Sequence, residues 1–215
     1  MLYKMKKIKI TLLFLSLAYA MPLLPRPELI LHPKILALMA AAAIVFLTQP
    51  GFSPNEGSRD KQADRNTVFL ILGGSLLSVI LPLLEWAYFS QARPLAHWAL
   101  LGSLLLLGGT ALRVWAIQVL GQYFTPTVLI QETHQLIQSG PFAWLRHPSY
   151  TGAYLATLGS AILLQAWWGL LFSALIMLVV YHRRIAAEEQ ALSERFGAAY
   201  ADYQHKTYRL LPGIW

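Results

Sequence analysis

An all-α, polytopic transmembrane helix bundle is the fold class this sequence predicts, and three observations carry the prediction. Of its 215 residues 56% are hydrophobic and only 13% charged, and the mean hydropathy is +0.49, a balance rare in soluble domains. Several apolar runs approach or exceed the roughly 20 residues needed to cross a hydrocarbon core of about 30 Å. These runs are continuous and do not alternate over ten residues, so they read as helices and not as barrel strands. Five or six spans are expected, ending in a helical hairpin and a cytoplasmic tail.

The elements follow in order. Lys4, Lys6, Lys7 and Lys9 precede an apolar run from Ile10 to Leu24. Because Ala18-Tyr-Ala20 resembles a signal-peptidase site, a cleaved signal peptide competes with a first transmembrane helix, and the retained helix is the stronger reading. Leu29 to Thr48 is Ala-rich, short after Pro33, and the least definite span. Gln49 to Asn66, with Pro50, Gly51, Pro54 and Gly57 among its charges, reads as a polar loop. Thr67 to Ser90 and Leu95 to Leu120 are both long enough to cross, and the brief link around Arg93-Pro94 predicts an antiparallel hairpin. Tyr150 to Leu164 and Trp167 to His182 predict a second hairpin, whose short first arm suits a tilted or re-entrant segment. Arg183 to Trp215, with Gly197 and Pro212 as breakers, reads as a continuation of the last helix followed by a tail. Two parts result: transmembrane helices over 1–120, and a linker, hairpin and C-terminal segment over 121–215.

Basic residues set the expected orientation. With the lysine-rich N-terminus in the cytoplasm and six crossings, the Arg59-Lys61-Arg65 loop, the Gly121 to Pro148 linker and the Arg183 to Trp215 tail all face the cytoplasm. Cleavage of a signal peptide would leave that parity unchanged. The net charge of +7 does not imply nucleic acid, since the basic residues sit at segment ends without an aromatic-interleaved stripe; topology signals and anionic headgroups account for them. The chain has no cysteine, which excludes disulfides, thiolate catalysis and Cys-ligated zinc. His32, His97 and His205 have no metal-ligand spacing and read as structural. No protein partner is deducible.

Chemistry concentrates in two polar segments, Ser139 to Gly152 and Arg183 to Glu189. Pro141 and Pro148 disfavour helix at Gly140 and His147, and Pro148 suits the first turn of the next helix, so His147 is held at a helix entrance near its positive dipole end. Tyr150 and Tyr154 share one helical face, and Gly152 thins that helix where something packs closely. On the last helix Tyr181, Arg184, Glu188 and Ala191 lie at i, i+3, i+7 and i+10, again one face. Arg184 and Glu188 read either as functional or as an i,i+4 ion pair. Arg183, Glu189 and Glu194 read as solvated or headgroup-facing. Glu85 and Arg113 fall within spans, where an ionisable residue is by default functional, or snorkels from a helix end. Gly73-Gly74 and Gly108-Gly109 read as helix-packing sites and not phosphate loops.

Leu120-Gly-Gln-Tyr-Phe124, His134-Gln-Leu-Ile-Gln-Ser-Gly-Pro-Phe142, Arg146-His-Pro-Ser-Tyr-Thr-Gly152 and the run from Glu188-Glu189 through Phe196-Gly197 to Tyr203 resemble, in order and spacing, the isoprenylcysteine carboxyl methyltransferase family. The resemblance covers about the last hundred residues. It implies an integral membrane methyltransferase that uses S-adenosylmethionine without a soluble nucleotide-binding sheet. Carried over by position, the cofactor would be enclosed by His134, Gln135, Leu136, Ile137, Phe142, His147, Pro148, Ser149, Tyr150 and Glu188, with Arg184 reaching the acceptor; Arg184 and Glu188 would be the catalytic pair. The family often has tyrosine where this chain has Phe142, and Gln131 is the candidate for its cofactor-contacting linker glutamine.

The residue types suit such a reaction. Methyl transfer from a sulfonium is an in-line displacement in which positioning and exclusion of water supply most of the catalysis, so no covalent nucleophile is needed. Tyr150 can face the cationic sulfonium, Glu188 can bind the ammonium or other polar groups, and neutral His147 can hydrogen-bond the cofactor. A carboxylate acceptor, ionised near neutral pH, needs no general base; Arg184 would orient it, and the bilayer would deliver its lipid tail. Lipidic amines, thiols or hydroxyls are further acceptors, the amines and hydroxyls giving His147 or Glu188 a deprotonation to perform. The competing functions are an NADPH-dependent membrane sterol-type reductase and a non-catalytic scaffold or transporter with a dead pocket.

Overall fold

The computed structural model describes residues 2–49, 61–89, 95–124 and 135–211, without the side chains of 2–4 and 61–68. The described residues form seven α-helices: α1 Leu2–Leu15, α2 Pro33–Thr48, α3 Lys61–Leu84, α4 Ala96–Leu120, α5 Pro148–Leu164, α6 Trp167–Phe196 and α7 Ala198–Lys206. Among the described residues the only β-structure is one isolated bridge between Leu145 and Tyr208. Within the described residues three helical stretches, Phe69–Phe89, Ala96–Tyr123 and Trp167–Phe196, are long and apolar enough to cross a membrane, and α2 is a shorter apolar helix. Many large apolar side chains, such as Leu100, Leu104 and Leu107 on α4 and Leu175 and Val179 on α6, point outward, as a lipid-facing surface requires.

Two close helix contacts organise the bundle. Gly102 and Gly109 of α4 face Gly159 and Gly152 of α5, and a Cβ at any of the four would strike the opposing backbone. In lipid, where apolar side chains gain little by hiding from solvent, such small residues let backbones meet and dispersion act. Gly152 accordingly packs where the sequence expected a close neighbour, which is the backbone of Gly109 and Arg113. The second contact joins α3 to α6. Gly169 abuts Pro82, Gly74 lies against Val180 and Met177, and the Ser173 hydroxyl donates to the Ser78 carbonyl at 2.9 Å. The antiparallel pairing expected for α3 with α4 is therefore not the principal one; α3 packs chiefly on α6 and α4 on α5. Link length alone carries no information on which faces are thin enough to approach.

The remaining elements close the bundle. A π-helical turn, Ser16–Ala20, extends α1 and buries Ala18 and Tyr19 in the core, so the stretch that resembles a processing site lies inside the packing. Phe14 stacks on Phe46 of α2 with ring centroids 4.5 Å apart. His32 takes the structural part expected of it, its Nδ1 accepting from the Lys34 amide at the start of α2. Glu85, at the end of α3, accepts from the amides of Trp168 and Gly169. It therefore caps the exposed donors of the α6 N-terminus, where charge and dipole agree. Gln165 turns the chain between α5 and α6 at φ 57°, and its amide oxygen accepts from the Leu95 amide at the start of α4.

Candidate functional site

At about 1.5 Å per residue α6 runs for about 45 Å, longer than a hydrocarbon core of about 30 Å. Its last third, which carries Glu188 and Glu189, therefore projects past an apolar stretch that begins at Trp167, and Arg184 lies one turn before Glu188. Gly197, at φ 52°, ends the helix as the sequence expected, and α7 then turns back. The returning segment docks on the α5 entrance: the Arg146 amide donates to Tyr208 O at 2.8 Å, His147 N to Arg209 O at 3.2 Å, and Tyr208 N to Trp144 O at 2.9 Å. His147 sits at φ −127°, ψ 56°, outside the helical region, with Pro148 in the first turn; both follow from the His-Pro pair.

A cavity of about 540 Å³ lies behind these elements. Its polar end is lined by His147, Ser149, Tyr150, Arg184 and Glu188, with Leu136, Ile137, Phe142, Tyr200 and Tyr203. The rest runs between apolar side chains of the N-terminal helices, Phe14, Leu38, Phe46, Leu72 and Val79 among them. Seven of the sequence-predicted positions thus meet at one end together with Arg184. Pro148 is buried but does not reach the cavity, and Gln135 is exposed away from it. His134 and Gln131 lie outside the described residues.

Within the polar end, Arg184 is only 2% exposed and its Nε donates to the Tyr150 hydroxyl at 3.4 Å. The Tyr150 ring stacks on Tyr181 at 5.0 Å and lies 5.8 Å from the His147 ring. Glu188 places Oε2 3.8 Å from His147 Nδ1. That oxygen is buried and has no hydrogen-bond partner among the described residues. The Tyr200 hydroxyl is likewise buried without one. Burial pushes the Tyr200 and Tyr203 hydroxyls well above the usual tyrosine range, so both remain donors; Tyr203 donates to Phe142 O at 2.7 Å, while Tyr200 offers its proton to the cavity.

Glu189 corrects the sequence reading. It is not solvated: it is 6% exposed and accepts from Arg146 Nε at 2.9 Å and Arg209 Nη2 at 2.6 Å, with His147 Nε2 at 3.3 Å. Arg146 also donates to the carbonyls of Gln204 and Thr207. Sequence reasoning missed this node because Glu189 is 100° around the helix from Glu188, and Arg209 is 20 residues on. One usable signal existed: a chain poor in acids had placed arginines at 146 and 209 that need a counter-charge. Arg183 and Glu194 are exposed, as expected. Among the described residues no cluster of three or more metal-ligating side chains forms.

The fold and site together define an integral membrane protein, all-helical, with an internal cavity that is polar at one end and apolar at the other. Residues 100–194 match the family model "Isoprenylcysteine carboxyl methyltransferase (ICMT) family". Protein-S-isoprenylcysteine O-methyltransferase of Saccharomyces cerevisiae is 31% identical over 148 residues, 68% of this chain and 61% of that protein. The Rattus norvegicus protein of the same name is 31% identical over 134 residues, 61% of this chain and 47% of that one. These matches span about half to three-fifths of the relatives' own lengths. A solved eukaryotic intramembrane Ras methyltransferase of the same family shares the fold, with a TM-score of 0.64 at 23% identity, covering 97% of this chain and 77% of that one.

Proposed function

We propose that this protein is a membrane methyltransferase that moves a methyl group from S-adenosylmethionine to the carboxylate of a lipophilic acceptor, as in C-terminal isoprenylcysteine O-methylation. The observation that carries the reading is the two-ended cavity, in which Tyr150, Arg184 and Glu188 share one space with the apolar faces of α1 to α3. A donor with a charged head and an acceptor with a hydrocarbon tail both have surfaces to meet there. A scaffold would have no use for buried, unsatisfied polar atoms.

The residues suit the cofactor. The unpartnered Glu188 Oε2 and Tyr200 hydroxyl supply an anionic acceptor for an ammonium and a donor for a carboxylate or ribose oxygen. Phe142, Leu136 and Ile137 would cover apolar faces, and the Tyr150 ring would stand beside a cation. When bound, S-adenosylmethionine would supply an electrophilic methyl carbon to the acceptor's carboxylate oxygen, with a neutral thioether as the leaving group and a neutral ester as the product. Arg184, fixed by Tyr150 and buried, would hold the carboxylate through its planar fork of donors. The close α4–α5 wall keeps water from the reacting atoms.

Five or six spans, a division near residue 120 and a cytoplasm-facing polar end complete the reading. The lining of one cavity by both Lys7 and Glu188 supports the last of these, since the lysine-rich end of α1 then lies on the site's side. The deciding experiment is incubation of the detergent-solubilised protein with radiolabelled S-adenosylmethionine and a small prenylated cysteine bearing a free carboxylate. Label in a base-labile methyl ester is expected. Label in membrane lipid but none in the prenylcysteine would overturn the acceptor.

A further inference from the structure

We propose that Arg113 on α4, assisted by Thr110, is a second anion anchor in the cavity that holds the acceptor's carboxylate head together with Arg184. The inference rests on the methyl-transfer reading above and adds to it a residue that fixes acceptor charge. Lys7, Arg113, Arg146 and Arg184 line the cavity against one acid, Glu188, among the described residues. Arg146 is matched by Glu189. Arg113 has no acidic partner among the described residues: its Nη1 donates to the Ser149 carbonyl at 3.1 Å, and its Nε is buried without any acceptor. Thr110, one turn earlier on the same face of α4, is 7% exposed, lines the same cavity, and its hydroxyl is also unpartnered.

A cation within a span is costly unless an anion or a wet cavity compensates it. Here two donors on one helix face are left over in the cavity that Tyr150 and Arg184 also line. The Arg113 backbone abuts Gly152, two residues from Tyr150, and the bond to Ser149 aims the guanidinium at the α5 entrance. On the other side the Tyr150 ring packs against Tyr181, and Arg184 bonds the Tyr150 hydroxyl. A sulfonium cofactor would add positive charge to this space, which makes an anionic acceptor the matching occupant and a protonated amine a poor one. Methylation removes the acceptor's charge, so the ester product loses the anchor that held its precursor, and release follows from the reaction itself.

The test compares the acid acceptor with its carboxamide, which keeps the tail and shape but carries no charge. For the wild-type protein the acid's KM should lie below the carboxamide's inhibition constant. Arg113→Gln should raise the acid's KM by about tenfold to a hundredfold, the range for a charge-assisted hydrogen bond, while the carboxamide constant and the S-adenosylmethionine Kd change less than about twofold. Arg113→Lys should fall between, and Thr110→Val should weaken the acid by about threefold without altering the fold. If Arg113 only ties α4 to the Ser149 carbonyl, acid and carboxamide weaken equally and cofactor affinity falls with them, which overturns the anchor. A wild-type protein that methylates the acid yet binds it no better than the carboxamide also overturns it. Absence of methyl transfer to any acid by the wild-type protein would instead overturn the reading on which the anchor rests.

Discussion

Glu188 and Glu189 are adjacent in sequence and opposite in circumstance. Both carboxylate oxygens of Glu189 are answered, by Arg146, Arg209 and His147. Glu188 lies in a wall where Glu188 Oε2, the Tyr200 hydroxyl and Arg113 Nε are buried and unanswered. The first arrangement joins the returning tail to the α5 entrance; the second has bonding capacity to give to a ligand. One helical step of 100° separates fixing the pocket from serving it.

Four substitutions would break or sharpen that contrast. Glu188→Ala has the largest expected effect, loss of S-adenosylmethionine binding by more than about a hundredfold, since it removes the acidic acceptor of the cavity; isothermal titration reads it. Arg184→Ala should leave cofactor Kd within about threefold while turnover falls by about a hundredfold, the separation shown by comparing titration with single-turnover rates. Glu189→Gln breaks the answered wall, and a buried carboxylate removed from two arginines should cost about 3 kcal/mol of stability, visible as a lowered unfolding midpoint in detergent. Its cofactor affinity should weaken less than that of Glu188→Ala; equal loss would mean the two walls are not distinct. Tyr150→Phe, which removes the hydroxyl that positions Arg184, should lower kcat by only a few-fold, checked in the same rate assay.

Much of this was legible because its physical cause is local. Pro148 in the first turn of α5, the break at Gly197 and the shared face of Arg184 and Glu188 follow from single residues and a 3.6-residue repeat. The resemblance of the Arg146 to Gly152 and Glu188 to Tyr203 segments extended that reading to the family. What the sequence did not yield is set by distant partners. Glu85 caps a helix 83 residues away, and α3 sits on α6 because Gly169 admits Pro82. Glu189 was misread because its partner Arg209 reaches it only after α7 has reversed the chain. Arg113 was flagged as anomalous, but its role required knowing that nothing acidic among the described residues stands opposite.

The glycine contacts between α4 and α5 have a mechanical consequence. At four levels no side chain lies between the two backbones, so there is no rotamer whose rearrangement would let one slide or tilt on the other. The pair acts as one stiff beam with Arg113 and Tyr150 riding on it in fixed register. On the proposed function, a motion that admits a long hydrocarbon tail would fall to elements outside this pair, leaving the floor formed by α4 and α5 unmoved.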